Sequence, residues 1–165
     1  MSRYEELGVD VKKAGIQKFK KSINNLFPDA FCVIQQDPFY EDMGLVLHTD
    51  SAGSKPVQAY LHYKETGNPK WFRGLAQDAL AMNLNDVLCV GAEPVSFVDY
   101  IAFNTLLIDR IELLTELSNG FEHCMSIMKE QGLNFMFAGG ETADLPDLLR
   151  TLDVCVAMFG RAKLN

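Results

Sequence analysis

No stretch of this sequence is apolar for long enough to cross a bilayer. Its opening, MSRYEELGVDVKK, lacks the apolar core of a secretory leader. Cysteine is sparse. The four, at 32, 89, 124 and 155, have neither C-x-x-C nor metal-ligand spacing, and three lie in apolar runs. Buried, reduced thiols in a reducing compartment, the cytoplasm, are therefore expected. Histidine is scarcer still, and His48, His62 and His123 show no zinc-type spacing. Positive charge is in deficit: 15 Lys and Arg against 22 Asp and Glu give a net charge of −7, which opposes binding to a polyphosphate backbone. The one basic run, Lys12 to Lys21, interleaves with Ile16, Phe19 and Ile23 and reads as the solvated face of an amphipathic helix. Neither a nucleic acid nor a membrane is an expected partner. The G-x-x-x-x-G-K-[ST] phosphate loop, the G-x-S-x-G elbow and a Cys-His pairing are missing, as are repeats and low-complexity segments.

What remains is enough for one domain over residues 1–165. Hydrophobic residues make up 48%, so a core can form without disulfide or metal support. Helical spacing of Ile16, Phe19, Ile23 and Phe27 predicts a helix over 11–27, ended by Pro28. Strands are expected over 30–36 and 44–50, joined by the polar connection QQDPFYEDMG. Ser54 can cap a short helix with Pro56 in its first turn, stopping near Gly67-Asn68-Pro69. A longer helix follows over 71–90, then a β-branched and aromatic strand over 95–103. From Asp109 to Gln131 a helix buries Ile111, Leu114, Leu117, Phe121, Cys124 and Met128, and strands over 133–138 and 152–159 complete the set. Trp71 and the aromatics of 95–103 read as core. The expected fold is α/β (α+β), a mixed, largely antiparallel sheet with helices on one face.

Three clusters carry chemistry. In HTDSAGSKP, a strand ends in Asp50, small residues follow, and Lys55 sits near a helix N-terminus. Backbone N–H groups there suit a phosphate, with Asp50 on a divalent cation and Lys55 on phosphate oxygens, although a plain capped turn would read the same. In QDALAMNLNDVLCVGAEP, helical spacing puts Asp78, Met82 and Asn85 on one face with Asp86 beside them. Polar groups on an apolar helix are costly unless solvated, paired or ion-bound, and carboxylate plus amide oxygens suit Mg²⁺. The alternative is a helix edge emerging to solvent, with Asn83 its readiest member. In FAGGETADLPD, Gly139 and Gly140 let backbone approach an anion, while Glu141, Thr142 and Asp144 add oxygens. A glycine turn between strands is the alternative.

At these clusters the sequence resembles the aminoimidazole ribonucleotide (AIR) synthase family, the phosphoribosylformylglycinamidine cyclo-ligases. The family's Y-x-x-x-G-V-D opening stands at Tyr4 to Asp10, and its T-D-G-V-G-T-K element at Thr49 to Lys55. Its D-x-x-A-M-x-x-N-D block with G-A-E-P stands at Asp78, Ala81, Met82, Asn85, Asp86 and Gly91 to Pro94, followed by Asp99-Tyr100. Its G-G-E-T-A-E-M-P stands at Gly139 to Pro146. Ser51 replaces a glycine, Asp147 stands where glycine is frequent, and QQDPFYEDMG replaces a glycine-rich segment.

The resemblance implies an N-terminal, nucleotide-handling domain whose sheets pair in a homodimer, with the family's C-terminal domain absent from this chain. It also implies ATP-dependent closure of formylglycinamidine ribonucleotide to AIR in purine biosynthesis, with the isolated domain inactive alone. ATP and Mg²⁺ are the implied cofactors. Asp50, Lys55 and Asp86 take the catalytic roles, and Asp50, Asp86 and Glu141 hold Mg²⁺. Asp78, Asn85, Gly139, Gly140, Glu141 and Thr142 bind nucleotide. The competing readings are a sister ATP-using enzyme of the selenophosphate synthase or thiamine-monophosphate kinase type, and a non-catalytic dimerising module.

Overall fold

The structure, a computed structural model, describes residues 3–10 and 13–164. Short helices α1 (Arg3–Glu6) and α2 (Gln17–Lys20) precede β1 (Ile34–Gln36) and β2 (Met43–Ser51). Then come α3 (Lys55–Thr66), a 3₁₀ turn (Pro69–Phe72), α4 (Arg73–Cys89), β3 (Glu93–Phe103), α5 (Arg110–Glu130), β4 (Met136–Asp144) and β5 (Leu152–Lys163).

The strands form one sheet in the order β1-β2-β5-β3-β4. Three of its pairings are antiparallel and the β3–β4 pairing is parallel. The expected mixed, largely antiparallel sheet is therefore present. Its central strand β5 alternates strictly: Leu152, Val154, Val156, Met158, Gly160 and Ala162 are buried, and the residues between them are half-buried. That period of two means one face is covered, and α4 packs on β2, β3 and β5 from that side, with α5 against α4. Register carries the covered face onto β2, where His48 lies opposite Met158 and Asp50 opposite Val156. Thus the sheet delivers two polar side chains to the helix side at the end of β2. On the opposite face Leu47 is 75% exposed, and Val98, Tyr100 and Met136 are exposed as well.

Local chemistry explains the boundaries. α3 stops at Gly67, whose φ of 65° is the left-handed conformation a side chain resists, and whose N–H reaches Tyr63 O at 2.8 Å. Asp109 starts α5 by accepting the Glu112 N–H at 2.9 Å. The α4–α5 crossing is close because Gly120 has no side chain: a Cβ there would meet Arg73 O at 2.4 Å. The QQDPFYEDMG connection is a pinned hairpin loop, in which Arg161 donates to the buried Asp37 at 2.9 Å and lies over the Tyr40 ring.

Several expectations need correction. The helix over 11–27 is reduced to one turn, and its start at Val11 and Lys12 lies outside the described residues. Lys13 and Gly15 take positive φ, which breaks a right-handed helix, and Ile16, Phe19, Ile23 and Phe27 find no core to bury against and stay exposed. The first strand covers only Ile34–Gln36. On α5, Leu117, Phe121 and Cys124 are buried as expected, with Leu114 and Met128 partly buried against the core, but Ile111 is 72% exposed and Leu113 is buried in the first turns instead. Trp71 is also exposed, stacked on His62 with Nε1 donating to Thr66. Cys32 and Cys124 are buried as expected, but Cys89, in the last turn of α4, is exposed. Gly139 and Gly140 lie inside β4, not in a turn.

Candidate functional site

The end of β2 and the C-terminal half of α4 bring His48, Asp50 and Asp86 together, with one ligand-type atom from each within 4.8 Å of the others. His48 Nε2 is 2.9 Å from Asp86 Oδ2. The approach is an ion-pair distance without hydrogen-bond alignment, since among the described residues Nε2 has no hydrogen-bond partner. Asp50 Oδ1 accepts the Ser51 N–H at 2.7 Å. Behind the cluster sits Cys32, whose Sγ donates to Asp86 O at 3.1 Å and lies 3.5 Å from His48 Nδ1. Burial, reinforced by the charges of Asp86 and Cys89, pushes the Cys32 thiol up to about 11.

Asn83 corrects the sequence reading most directly. Assigned there to a solvated helix edge, it is 0% exposed. Its Nδ2 donates to Asp50 O at 3.1 Å and to Ala79 O at 2.9 Å, tying β2 to α4 at the site. Both partners are carbonyls, so the amide orientation is fixed by the network, and Oδ1 has no hydrogen-bond partner among the described residues. Met82 and Asn85 follow Asp78 along one continuous helix, as expected, and both are exposed. Sequence spacing could narrow the choice among the asparagines only to one turn of helix, whereas packing against β2 selects Asn83. His48 was missed because its partners are distant in the chain; the alternation of β2, which puts residues 46, 48 and 50 on one face, was the available signal.

Lys55, in the first turn of α3, pairs with Asp78 on α4. The first two clusters are thus joined through Lys55–Asp78 and through Asn83–Asp50. Two carboxylates and an imidazole nitrogen that has no hydrogen-bond partner among the described residues fit a divalent cation.

The third cluster stands apart. Asp50, Val156, Asp99 and Gly140 form one register row across β2, β5, β3 and β4. Three strand spacings separate its ends, roughly 14 Å. Glu141 therefore does not join Asp50 and Asp86 around one ion within this chain, contrary to the expected metal trio. Its Oε1 accepts the Thr142 N–H at 2.8 Å, and Thr142 Oγ1 accepts from Arg110, which also pairs with Asp144. Between Phe97 and Asp99 the β3–β4 register slips, so Val98 faces two residues of β4, and Gly139 takes a φ of 97° in this bulge. Gly140 is required for a different reason: a Cβ there would lie 1.8 Å from Asp99 Oδ1. A cleft of about 480 Å³ runs along this end between α5 and the sheet, lined by Asp99, Ser118, Phe121, Glu122, Phe137 and the Gly139–Thr142 backbone among others.

Burial pushes the Asp99 carboxyl up to about 6, partly offset by its own backbone N–H. A carboxyl raised in the folded state contributes stability below its unfolded value and loses it as pH rises through the folded one. Asp99→Asn is therefore expected to melt above the parent at pH 7.5, with the difference shrinking as pH falls from 6 to 4. Thermal denaturation across that range checks it, and a difference independent of pH would show that Asp99 is not desolvated.

Residues 28–162 match the family described as AIR synthase related protein, N-terminal domain. This chain belongs to that family. Among curated AIR synthase relatives, the phosphoribosylformylglycinamidine cyclo-ligase of Methanocaldococcus jannaschii is 36% identical over 124 residues, covering 75% of this chain and 31% of its own length. That of Methanococcus maripaludis strain C7 is 33% identical over 171 residues, covering 99% of this chain and 45% of its own. The chain thus spans less than half the length of these relatives. In fold it is similar to the thiamine monophosphate kinase of Aquifex aeolicus, with a TM-score of 0.58, 17% identity, and coverage of 93% of this chain and 44% of that one. It is also similar to Thermotoga maritima PurL complexed with AMPPCP, with a TM-score of 0.54, 16% identity, and coverage of 94% and 25%. At those identities the likeness is one of AIR synthase related fold.

Proposed function

We propose that this chain is the nucleotide-handling N-terminal domain of an ATP-dependent cyclo-ligase that converts formylglycinamidine ribonucleotide to AIR. The observation that carries the reading is the convergence of Asp50 and Asp86 at the β2–α4 junction, with Lys55 held by Asp78 at the start of α3. Curated relatives at 33–36% identity bear the cyclo-ligase name, which favours this chemistry over that of the kinase-type sisters.

Asp50 and Asp86 would hold the Mg²⁺ that accompanies ATP. Bound there, the ion would neutralise charge developing on the transferring phosphoryl group. Lys55 would meet phosphate oxygens, and Asp78 keeps that ammonium at the helix start. The substrate's amide oxygen takes the γ-phosphoryl group, releasing ADP. A neighbouring nitrogen then attacks the activated carbon, the C–O bond breaks, and phosphate leaves. Little covalent work falls to side chains, so positioning dominates. Gly139, Gly140, Glu141 and Thr142 lie too far away to act on the same ion in one protomer. We assign them to a nucleotide or substrate pocket completed when two sheets pair through the open face that carries Leu47, Val98 and Tyr100.

The complete gene product carrying this chain is expected to consume ATP only when formylglycinamidine ribonucleotide and Mg²⁺ are both present, releasing one phosphate per AIR formed. Equal phosphate release without the ribonucleotide, or transfer to thiamine monophosphate instead, would overturn the assignment.

A further inference from the structure

The proposed Mg²⁺ site contains one group that a Mg²⁺ site does not call for. His48 projects from β2 on the same face as Asp50, and its Nε2 approaches Asp86 Oδ2 at 2.9 Å. The hydrogen-bond network behind the ring decides what that nitrogen is. Cys32 donates its proton to Asp86 O, an acceptor only, so Sγ is left to accept from His48 Nδ1. The proton of a neutral imidazole therefore belongs on Nδ1, and Nε2 carries a lone pair. A lone pair aimed at a carboxylate oxygen is repulsive unless a positive charge lies between them. Among the described residues, Nε2 is buried and not aligned with any acceptor. A metal ion satisfies the same atoms better. Two ligands each about 2.1 Å from one ion at a right angle lie about 3 Å apart, which matches the His48–Asp86 separation. The arrangement behind it is that of an outer shell fixing the tautomer of a ligating histidine.

We propose that His48 Nε2 is a third protein ligand to the cation held by Asp50 and Asp86, and that it makes the site prefer a divalent first-row transition ion over Mg²⁺. The proposal rests on the reading that Asp50 and Asp86 hold a cation. Nitrogen donors raise affinity for transition ions, whereas Mg²⁺ favours oxygen and gains little from imidazole. The ion would bind this chain before nucleotide arrives.

The test is titration of the full 165-residue chain with Co²⁺ alone, without nucleotide, followed by visible absorption and by proton NMR, with Mg²⁺ as competitor. The expected result is Co²⁺ binding at least tenfold tighter than Mg²⁺, with a strongly shifted, exchangeable imidazole N–H resonance from Nδ1. In His48→Asn and His48→Gln that resonance disappears, and Co²⁺ affinity falls at least tenfold while Mg²⁺ affinity stays within about twofold. Absence of the shifted resonance in the parent chain with Co²⁺ bound would overturn the proposal without recourse to any variant. Equal Co²⁺ affinity in parent and His48 variants, with binding lost in Asp86→Asn, would also overturn it and leave the cyclo-ligase reading standing. Failure of the parent to bind either ion, with or without ATP, would remove both.

Discussion

Asp86→Asn is expected to weaken Mg²⁺·ATP binding by about a hundredfold or more while the chain stays folded. Loss of a group that merely orients a metal ligand already lowers affinity by about 10- to 100-fold, and here the exchange removes a charged ligand itself. The side chain is isosteric. Its helix is held by backbone hydrogen bonds and by packing of Leu80, Leu84 and Val87, and the Asp86 carbonyl keeps its contacts with Cys32 and Cys89. Isothermal titration with Mg²⁺ and a non-hydrolysable ATP analogue measures the effect, and circular dichroism reports the fold. Unchanged Mg²⁺-dependent binding would remove Asp86 from the site and with it the central claim about the β2–α4 junction.

Phe97→Ala is expected to have the largest effect on stability, a loss of about 3–5 kcal/mol. Phe97 is 1% exposed and its ring meets Phe121 of α5, Phe137 of β4 and Phe135 just before that strand, at centroid distances of 5.5, 5.0 and 5.9 Å. Truncation leaves a cavity that three ring neighbours on separate segments cannot all collapse into. For a domain of this size the melting temperature should fall on the order of 10 °C. Because Phe121 and Phe137 also line the cleft beside Gly139 and Gly140, the same change should loosen that wall. Leu106→Ala, at a side chain 81% exposed, serves as the control and is expected to shift stability by no more than about 0.5 kcal/mol. Comparable losses in the two variants would mean that the aromatic cluster is not the anchor of this end of the sheet.

Much of the architecture was legible because it rests on local signals. Gly67 and Asp109 mark helix ends through backbone conformation and a side-chain cap, and both function there. The strands around Val46 and Phe97 follow from apolar and from β-branched or aromatic content. The helix over 11–27 failed because periodicity describes a face but does not supply a surface to bury it on. The exposure of Ile111 on α5 has a similar cause: Ile111 and Leu113 are both apolar, and only packing decides that Leu113 is the one buried.

The site divides along the same line. The sequence by itself determined that acidic residues and small residues cluster at the ends of strands and helices, and which family they resemble, since both depend on residue order alone. Only the tertiary structure decided which clusters meet. Antiparallel pairing of β2 with β5, and packing of α4 across them, join Asp50 to Asp86 and bring in His48, Cys32 and the buried Asn83. The strand order β2-β5-β3-β4 carries Glu141 away from them. Strand order and helix packing are set by non-local burial of apolar faces, and no spacing within one segment encodes them.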